Sequence, residues 1–252
     1  MSYETSGTLE TNRSSPTNET IDISDWSTVT LGSNLVNDNG IIRLAEVATE
    51  PTSVIDQFEW SGSVSDRYSG STGEFGIDST TPVYQGDNSL KADGTTNNTS
   101  IVSTSGDGLQ NYPSRGDWIQ GYVYAPSSGA APGILFFGES GTTWNSDYTG
   151  YGLTINVNTG SFRLVKTDGS SFTDLDTGGS PTSGQWYLVD IYSNSTDIEV
   201  DITDLSDDSV LTLSATDSTY TGTNFGYKKR ADGVYDDFRL AADYGMPGDS
   251  GN

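Results

Sequence analysis

The sequence predicts an all-β protein: a two-sheet antiparallel sandwich with a small β-rich segment in front of it. Composition is the first observation, because 30 glycines among 252 residues, with abundant Ser, Thr and Asn, suit short strands joined by tight turns. Patterning is the second observation. Apolar and polar residues alternate with the period of two that is typical of strands, whereas helical periodicity is nearly absent.

Charge and residue usage restrict the chemistry. The chain carries 35 acidic against 11 basic residues, a net charge of -24, and has no His and no Cys. This composition excludes Ser-His-Asp triads, His metal sites, thiolate nucleophiles and disulfides. Such a charge favours a high-salt environment, where molar counter-ions screen the surface within about 3 Å. It argues against nucleic acid as a partner, since the only basic run is 228–230.

Residues 1–53 are predicted to be an N-terminal arm and a small β anchoring module. Residues 1–20 are polar and without period, and the apolar positions that follow fit two or three strands with a hairpin turn at 37–40. So few strands cannot bury a core alone, so we expect them to pack on another protein or another copy. The start shows no export leader, and no apolar stretch is long enough for membrane insertion.

The sandwich is expected over residues 54–241, and a polar tail over 242–252. Runs of alternating or apolar residues bounded by turn residues mark its strands. The predicted strands are 55–59, 74–78, 88–93, 100–104, 117–124, 133–138, 150–157, 161–166, 186–192, 198–203, 209–214, 224–228 and 234–240.

Four segments of this region carry a family resemblance. They are Ile55-Asp56-Gln57-Phe58-Glu59, the segment from Pro82 to Lys91, Gly184-Gln185-Trp186-Tyr187 with the following Ile198-Glu199-Val200, and Tyr235-Asp236-Asp237-Phe238-Arg239-Leu240. In this order they resemble the concanavalin A-like, laminin-G-like jelly rolls and related carbohydrate-binding modules, especially domains of haloarchaeal surface and virus proteins. The resemblance implies a jelly-roll order of strands over about three quarters of the chain.

The resemblance also implies a structural calcium ion that ties the first strand, a turn and the last strand together. By matching position its ligands are Glu59, Gly86, Asp87 and Asp236, and calcium does prefer such hard oxygen ligands. Asp236 alternates with Phe238 and Leu240, which predicts that it points toward the core. Solvated acids in an acid-rich chain are the alternative interpretation.

An aromatic row on one strand is the second candidate site. Ile119 and Val123 are expected to face the core, which leaves four side chains on the other face: Trp118, Gln120, Tyr122 and Tyr124. Flat rings on a sheet face stack on sugars, so this row predicts glycan binding, extended by Trp144, Tyr148 and Tyr151. Packing under the N-terminal strands or against a neighbouring subunit is the alternative.

Asp197, Glu199 and Asp201 form the one constellation that looks catalytic. Alternate positions place three carboxylates on one strand face, as in glucanases of this fold, although both outer positions are Asp where that motif has Glu. The shorter side chains misplace both the proton donor and the nucleophile. An amphipathic strand with its acidic side in brine is therefore the favoured interpretation, and we expect no enzyme activity.

These observations together predict a non-enzymatic surface protein of a haloarchaeal virus virion: a capsid-vertex, spike or tail-fibre component at the virion surface in high salt. Residues 1–53 would bind other virion proteins, with the chain forming a homo-oligomer, and the jelly roll would face outward for attachment to host surface glycans. A cellular carbohydrate-binding adhesin and, less favoured, a glycoside hydrolase are the alternatives.

Overall fold

The computed structural model describes residues 21–22, 35–38, 41–44 and 50–247. The chain divides into two compact units, residues 1–49 and residues 50–252. The predicted arm 1–20 and the last residues of the predicted tail lie outside the described residues.

Three short strands form the sheet of the first unit. They are β1 (Ile21–Asp22), β2 (Leu35–Asp38) and β3 (Ile41–Leu44). The strands are antiparallel in the order β1-β3-β2, and Asp38 pairs with Ile41. This register fits the predicted hairpin, whose turn residues 39–40 are outside the described part of the chain.

The second unit contains fifteen strands among its described residues. Their bounds are β4 (Ser53–Asp56), β5 (Ser69–Gly70), β6 (Phe75–Asp78), β7 (Ser89–Ala92), β8 (Thr99–Ser103), β9 (Trp118–Ala125), β10 (Gly133–Ser140), β11 (Thr149–Asn156), β12 (Ser161–Asp168), β13 (Phe172–Gly178), β14 (Gln185–Ser193), β15 (Asp197–Asp204), β16 (Ser209–Thr216), β17 (Asn224–Lys229) and β18 (Gly233–Ala241). Short 3-10 turns cover Val64–Asp66 and Thr72–Glu74. Within residues 50–247 no helix is long and apolar enough to cross a membrane.

These strands form two antiparallel sheets. The front sheet has the order β16-β15-β14-β9-β18-β7-β6, with β4 also paired to β18, and the back sheet has the order β13-β12-β11-β10-β17-β8-β5. The predicted all-β, two-sheet sandwich is confirmed. Neighbours in each sheet are distant in sequence at several places, as in β9 beside β14 and β18.

The core lies between the inner faces of the sheets, where alternating side chains are removed from water. Alternate positions of the front sheet are buried, namely Tyr187, Val189 and Ile191 on β14 and Ile198, Val200 and Ile202 on β15. Leu153 and Ile155 of β11 face them from the back sheet within the same buried cluster. Burying these side chains is the main source of the fold's stability.

A β-bulge in β18 changes the face on which Asp236 lies. Asp236 pairs with Tyr122 and Arg239 pairs with Gln120, so β18 has one residue more than β9 between these pairs. Asp237 takes a φ of 44° at this point. The extra residue keeps Phe238 in the core but moves Asp236 to the outer face of the front sheet. The prediction that Asp236 points toward the core is wrong, since simple alternation does not anticipate the bulge.

Candidate functional site

Four aromatic rings gather on the outer face of the front sheet. We call them the aromatic platform: Tyr84, Tyr122, Tyr124 and Trp186. Tyr84 stacks on Tyr122 with ring centroids 3.8 Å apart and an interplanar angle of 24°. The Trp186 ring lies 5.6 Å from Tyr84 and 5.3 Å from Tyr124. Tyr84 is 42% exposed and the other three rings are partly exposed, so the platform faces solvent.

Strand register and one loop assemble the platform. Tyr124 of β9 pairs directly with Trp186 of β14, and Tyr122 lies two residues along on the same face. Tyr84 comes from the connection between β6 and β7, residues 79–88, which folds over the sheet. Burial, together with the nearby Tyr84 and Asp237, raises the pKa of Tyr122 to about 12, so its hydroxyl stays protonated and available as a donor near neutral pH.

Two carboxylates hold that connection in place. Asp236 Oδ2 accepts the backbone N–H groups of Tyr84 at 2.7 Å and Gln85 at 3.1 Å. Glu59 Oε1 accepts those of Asp87 at 2.7 Å and Asn88 at 3.0 Å. Burial opposes ionisation of Glu59, but the hydrogen bonds from Asn88 and Asp87 outweigh it and lower the pKa of the carboxyl. These bonds fix the backbone of Tyr84 and therefore the position of its ring.

Glycine is required at position 86 because the Glu59 carboxylate lies next to it. Its φ is 72°, and a Cβ on it would lie 2.1 Å from Glu59 Oε1. A side chain at this position would displace the carboxylate and strain the backbone. Glycine therefore makes the close approach possible.

The predicted calcium ligands do converge on one loop, and hydrogen bonds occupy three of the six carboxylate oxygens of Glu59, Asp87 and Asp236. Both Glu59 oxygens and Asp236 Oδ2 accept N–H groups of residues 84–88, whereas Asp236 Oδ1 is buried with no hydrogen-bond partner among the described residues. Over the same residues no cluster of three or more acidic side chains is arranged to hold a metal. An unpartnered buried oxygen can accept a cation, so Asp236 Oδ1 is the atom on which the calcium prediction depends.

Burial makes this unpartnered oxygen costly. It raises the pKa of Asp236 to about 6, against the lowering effect of the N–H groups of Gln85 and Tyr84. A bound cation would offset the cost by neutralising the charge.

Trp118 lies on the predicted face, but its expected exposure is wrong. It is only 5% exposed, because Tyr192 and Tyr244 pack on it with ring centroids 5.5 and 4.7 Å away. Its indole nitrogen donates to Asp190 Oδ1 at 2.8 Å, and Gln120 Nε2 donates to the same oxygen at 2.8 Å. Both side chains therefore serve a buried carboxylate whose pKa is raised by burial.

The predicted extension of the aromatic row is also wrong. Tyr151 is fully buried in the core, while Trp144 and Tyr148 form a separate cluster with Val102, Leu135 and Val165. That cluster lies on the outer face of the back sheet, away from the platform. Trp144 and Tyr151 are close in sequence, but their side chains lie on opposite faces of the back sheet.

The three carboxylates of β15 lie on the outer face of the front sheet, and the two aspartates accept hydrogen bonds from the neighbouring strand. Asp197 accepts from Thr216 at 2.7 Å and Asp201 accepts from Thr212 at 2.6 Å, both across the pairing with β16. Hydrogen bonds from Thr216, Thr196 and Asn194 lower the pKa of Asp197. Burial and the nearby Asp201 raise the pKa of Glu199.

Tyr84 and Trp186 are the platform residues that the aromatic-row prediction missed. The sequence does contain a signal for Trp186, because Tyr187, Val189 and Ile191 alternate as core positions and the residue next to Tyr187 must face outward. No local pattern marks Tyr84, whose position depends on contacts with Asp236 more than 150 residues away in sequence.

Comparison with known proteins supports the fold. No protein-family model and no curated protein sequence matches the chain. A protein of unknown function with a galectin-like fold from Bacillus subtilis superposes with a TM-score of 0.52 at 14% identity, covering 76% of this chain and 96% of that one. A carbohydrate-binding module from Bacillus subtilis gives 0.48 at 12%, covering 67% and 96%. A Lotus tetragonolobus seed lectin gives 0.47 at 12%, covering 73% and 96%. The second unit thus shares the overall sandwich fold of that galectin-like protein from Bacillus subtilis.

Proposed function

We propose that this chain binds carbohydrate through the aromatic platform on its front sheet. The observation that carries the proposal is the stack of Tyr84 on Tyr122, with Trp186 and Tyr124 beside it, partly exposed on the outer face. Tyr and Trp rings offer sugars an apolar surface and a polar edge at once. Two of the four rings, Tyr122 and Tyr124, come from the row that the sequence singled out.

Polar groups next to the platform suit the hydroxyls of a sugar. Asp237 accepts from Gln57 Nε2 at 3.0 Å and from Arg239 Nε at 2.9 Å. This network lies near Tyr122, because Asp237 directly follows Asp236, the residue that pairs with Tyr122. A few oriented polar groups beside apolar rings are the usual composition of a small-ligand site.

The test is a glycan array in molar salt, followed by titration of any hit. Trp186→Ala and Tyr84→Ala are expected to weaken binding at least tenfold, because each removes one ring of the platform. Val210→Ala is the control, since Val210 is an exposed apolar side chain, at 59%, that lies on the edge strand β16 and does not belong to the platform. Equal binding by all three variants would remove the platform as the site.

We further propose that the protein is not an enzyme. The carboxylates of β15 support this, because Asp197 and Asp201 accept from threonine hydroxyls of β16 and so resemble structural acceptors. Glu199 is the one carboxyl of the three with a raised pKa. Hydrolysis of a glycan hit by the wild type, abolished in Glu199→Gln, would contradict this assignment and support a glycoside hydrolase.

A place on the surface of a haloarchaeal virus virion remains our proposal for the biological setting, with a cellular adhesin as the alternative. The net charge of -24 supports a high-salt environment for either. Residues 1–53 would attach to other virion proteins and the chain would form a homo-oligomer. Detection of the protein in purified virions, by mass spectrometry, is expected; its presence only in host envelopes would favour the adhesin.

A further inference from the structure

A cavity opens on the outer face of the back sheet and gathers basic side chains. Its volume is about 330 Å³, and three of the chain's 11 basic residues line it: Arg163, Lys228 and Arg230. Cavities that bind small molecules begin at about 300 Å³. In a chain with 35 acidic residues, the described lining contains no Asp or Glu.

Of these three basic residues, Lys228 is the most deeply buried. It is 6% exposed, and its Nζ donates to Thr154 Oγ1 at 3.0 Å and lies 4.9 Å from the centre of the Trp144 ring. Among the described residues no carboxylate lies within ion-pair distance of it. Its neighbour Lys229 is also buried, yet pairs with Glu74 at 3.1 Å. A buried ammonium without an acid is costly, so the site suits an anion from outside.

The sheet is shaped to place Lys228 in the cavity. Lys228, Gly133, Thr154 and Arg163 follow one another across β17, β10, β11 and β12 in register. A Cβ on Gly133 would lie 3.1 Å from both Cγ and Cε of Lys228. The missing side chain lets the lysine lie across the strand and reach Thr154.

The remaining wall combines amides with aromatic rings. Asn97, Asn145 and Asn156 line the cavity together with Thr154 and Thr159, a set of donors and acceptors that matches hydroxyl groups. Trp144 and Phe172 stack at 6.3 Å, and Phe172 is 42% exposed at the rim. The walls therefore pair cations with hydroxyl-binding groups and flat rings.

We propose that this cavity binds an acidic sugar, whose carboxylate pairs with Lys228 and Arg230 while its hydroxyls meet the amide wall. Arg163 already pairs with Asp174, at 2.7 Å to Oδ2, so it is less available to bind the anion. The site is separate from the aromatic platform, which lies on the other sheet. Binding at this cavity can therefore be tested independently of binding at the platform.

The test is calorimetric titration with glucuronate, glucose and acetate at constant ionic strength. Glucuronate is expected to bind at least tenfold more tightly than glucose or acetate, since glucose lacks the charge and acetate lacks the hydroxyls. Lys228→Met is expected to lose at least tenfold in glucuronate affinity, while Lys91→Met, at a lysine of β7 that pairs with Asp78 and Asp93 and belongs to neither site, keeps it. Equal affinity for either comparison ligand, or an unchanged Lys228→Met, overturns the proposal.

A pH profile separates a charge role from a packing role, should Lys228→Met fold poorly. Burial, and the nearby charges of Arg163 and Arg230, lower the pKa of Lys228 to about 7. Gly133, Thr154 and Trp144, which pack on it, carry no charge, and Asp174 is held by Arg163. Wild-type affinity for glucuronate should fall severalfold from pH 6 to pH 8.5, and Lys228→Arg should remove that dependence. A flat wild-type profile overturns the role of Lys228.

Discussion

The indole nitrogen of Trp118 lies 2.8 Å from Asp190 Oδ1, and this bond ties β9 to β14 on the outer face of the front sheet. Asp190 is 8% exposed and raised in pKa by burial. Its two donors, Trp118 and Gln120, keep a nearly buried carboxylate satisfied. The tryptophan that the sequence offered as a ligand-binding ring is instead a structural donor.

Trp118→Phe is therefore expected to destabilise the fold. The ring keeps most of its packing, but Asp190 loses a charge-assisted hydrogen bond, which costs about 1–3 kcal/mol in free energy of unfolding. Chemical denaturation in molar salt measures it. Trp186→Phe is the control, because the Trp186 indole nitrogen has no hydrogen-bond partner among the described residues. Equal losses for the two variants would contradict the role of the bond.

Asp236→Asn is expected to stabilise the calcium-free protein near neutral pH. The folded-state pKa of Asp236 is about 6, above the ordinary 3.8, so its contribution is favourable below pH 4 and is lost as the pH rises through 6. A shift of this size corresponds to roughly 2 kcal/mol or more at pH 7. Unfolding in EDTA should show a gain for the variant at pH 7 that shrinks toward pH 4. A difference independent of pH would refute the assignment.

Calcium should make the wild type more stable than Asp236→Asn, because Asp236 Oδ1 is the predicted ligand. Adding millimolar calcium at constant ionic strength is expected to raise the midpoint of thermal unfolding of the wild type by several degrees, since a ligand of the native state stabilises it. Asp236→Asn should respond less, and Asp208→Asn, an exposed acid in the β15–β16 turn, should respond like the wild type. An unchanged wild-type midpoint would remove calcium from the site.

The strands of the sandwich could be predicted because each buries one face. From β6 to β18 the predicted ranges match the observed strands within a few residues, with one exception. That exception is β13 (Phe172–Gly178), which pairs only with β12 along its length and is largely exposed. An edge strand with Asp174 and Asp176 in its middle shows little hydrophobic alternation, so its pairing depends on register with β12 and not on its own pattern.

The candidate sites were predictable only in part, because they depend on contacts far apart in sequence. Tyr122 and Tyr124 follow from strand alternation, but the covering of Trp118 by Tyr244 and the placing of Tyr84 by Asp236 do not. Lys228 belongs to a basic run in the sequence, whereas in the structure it and Lys229 lie on opposite faces of the sheet. Alternation assigns a face, and only the fold determines what covers that face.

Gly121 offers the sharpest test of the packing that sets these faces. It lies on β9 on the core side, and a Cβ there would lie 2.3 Å from Cδ1 of the Phe238 ring, which belongs to the β18 segment just beyond the bulge. Gly121→Ala is expected to cost more than about 2 kcal/mol of unfolding free energy, because the ring is fully buried and has no room to move. Gly76→Ala on β6 is the matched control, since nothing lies within 4 Å of its added Cβ. That control is expected to stay within about 1 kcal/mol of the wild type or to gain slightly. If Gly121→Ala unfolded like the control, Phe238 would not occupy the space above Gly121, and the bulge that turns Asp236 outward would lose its support.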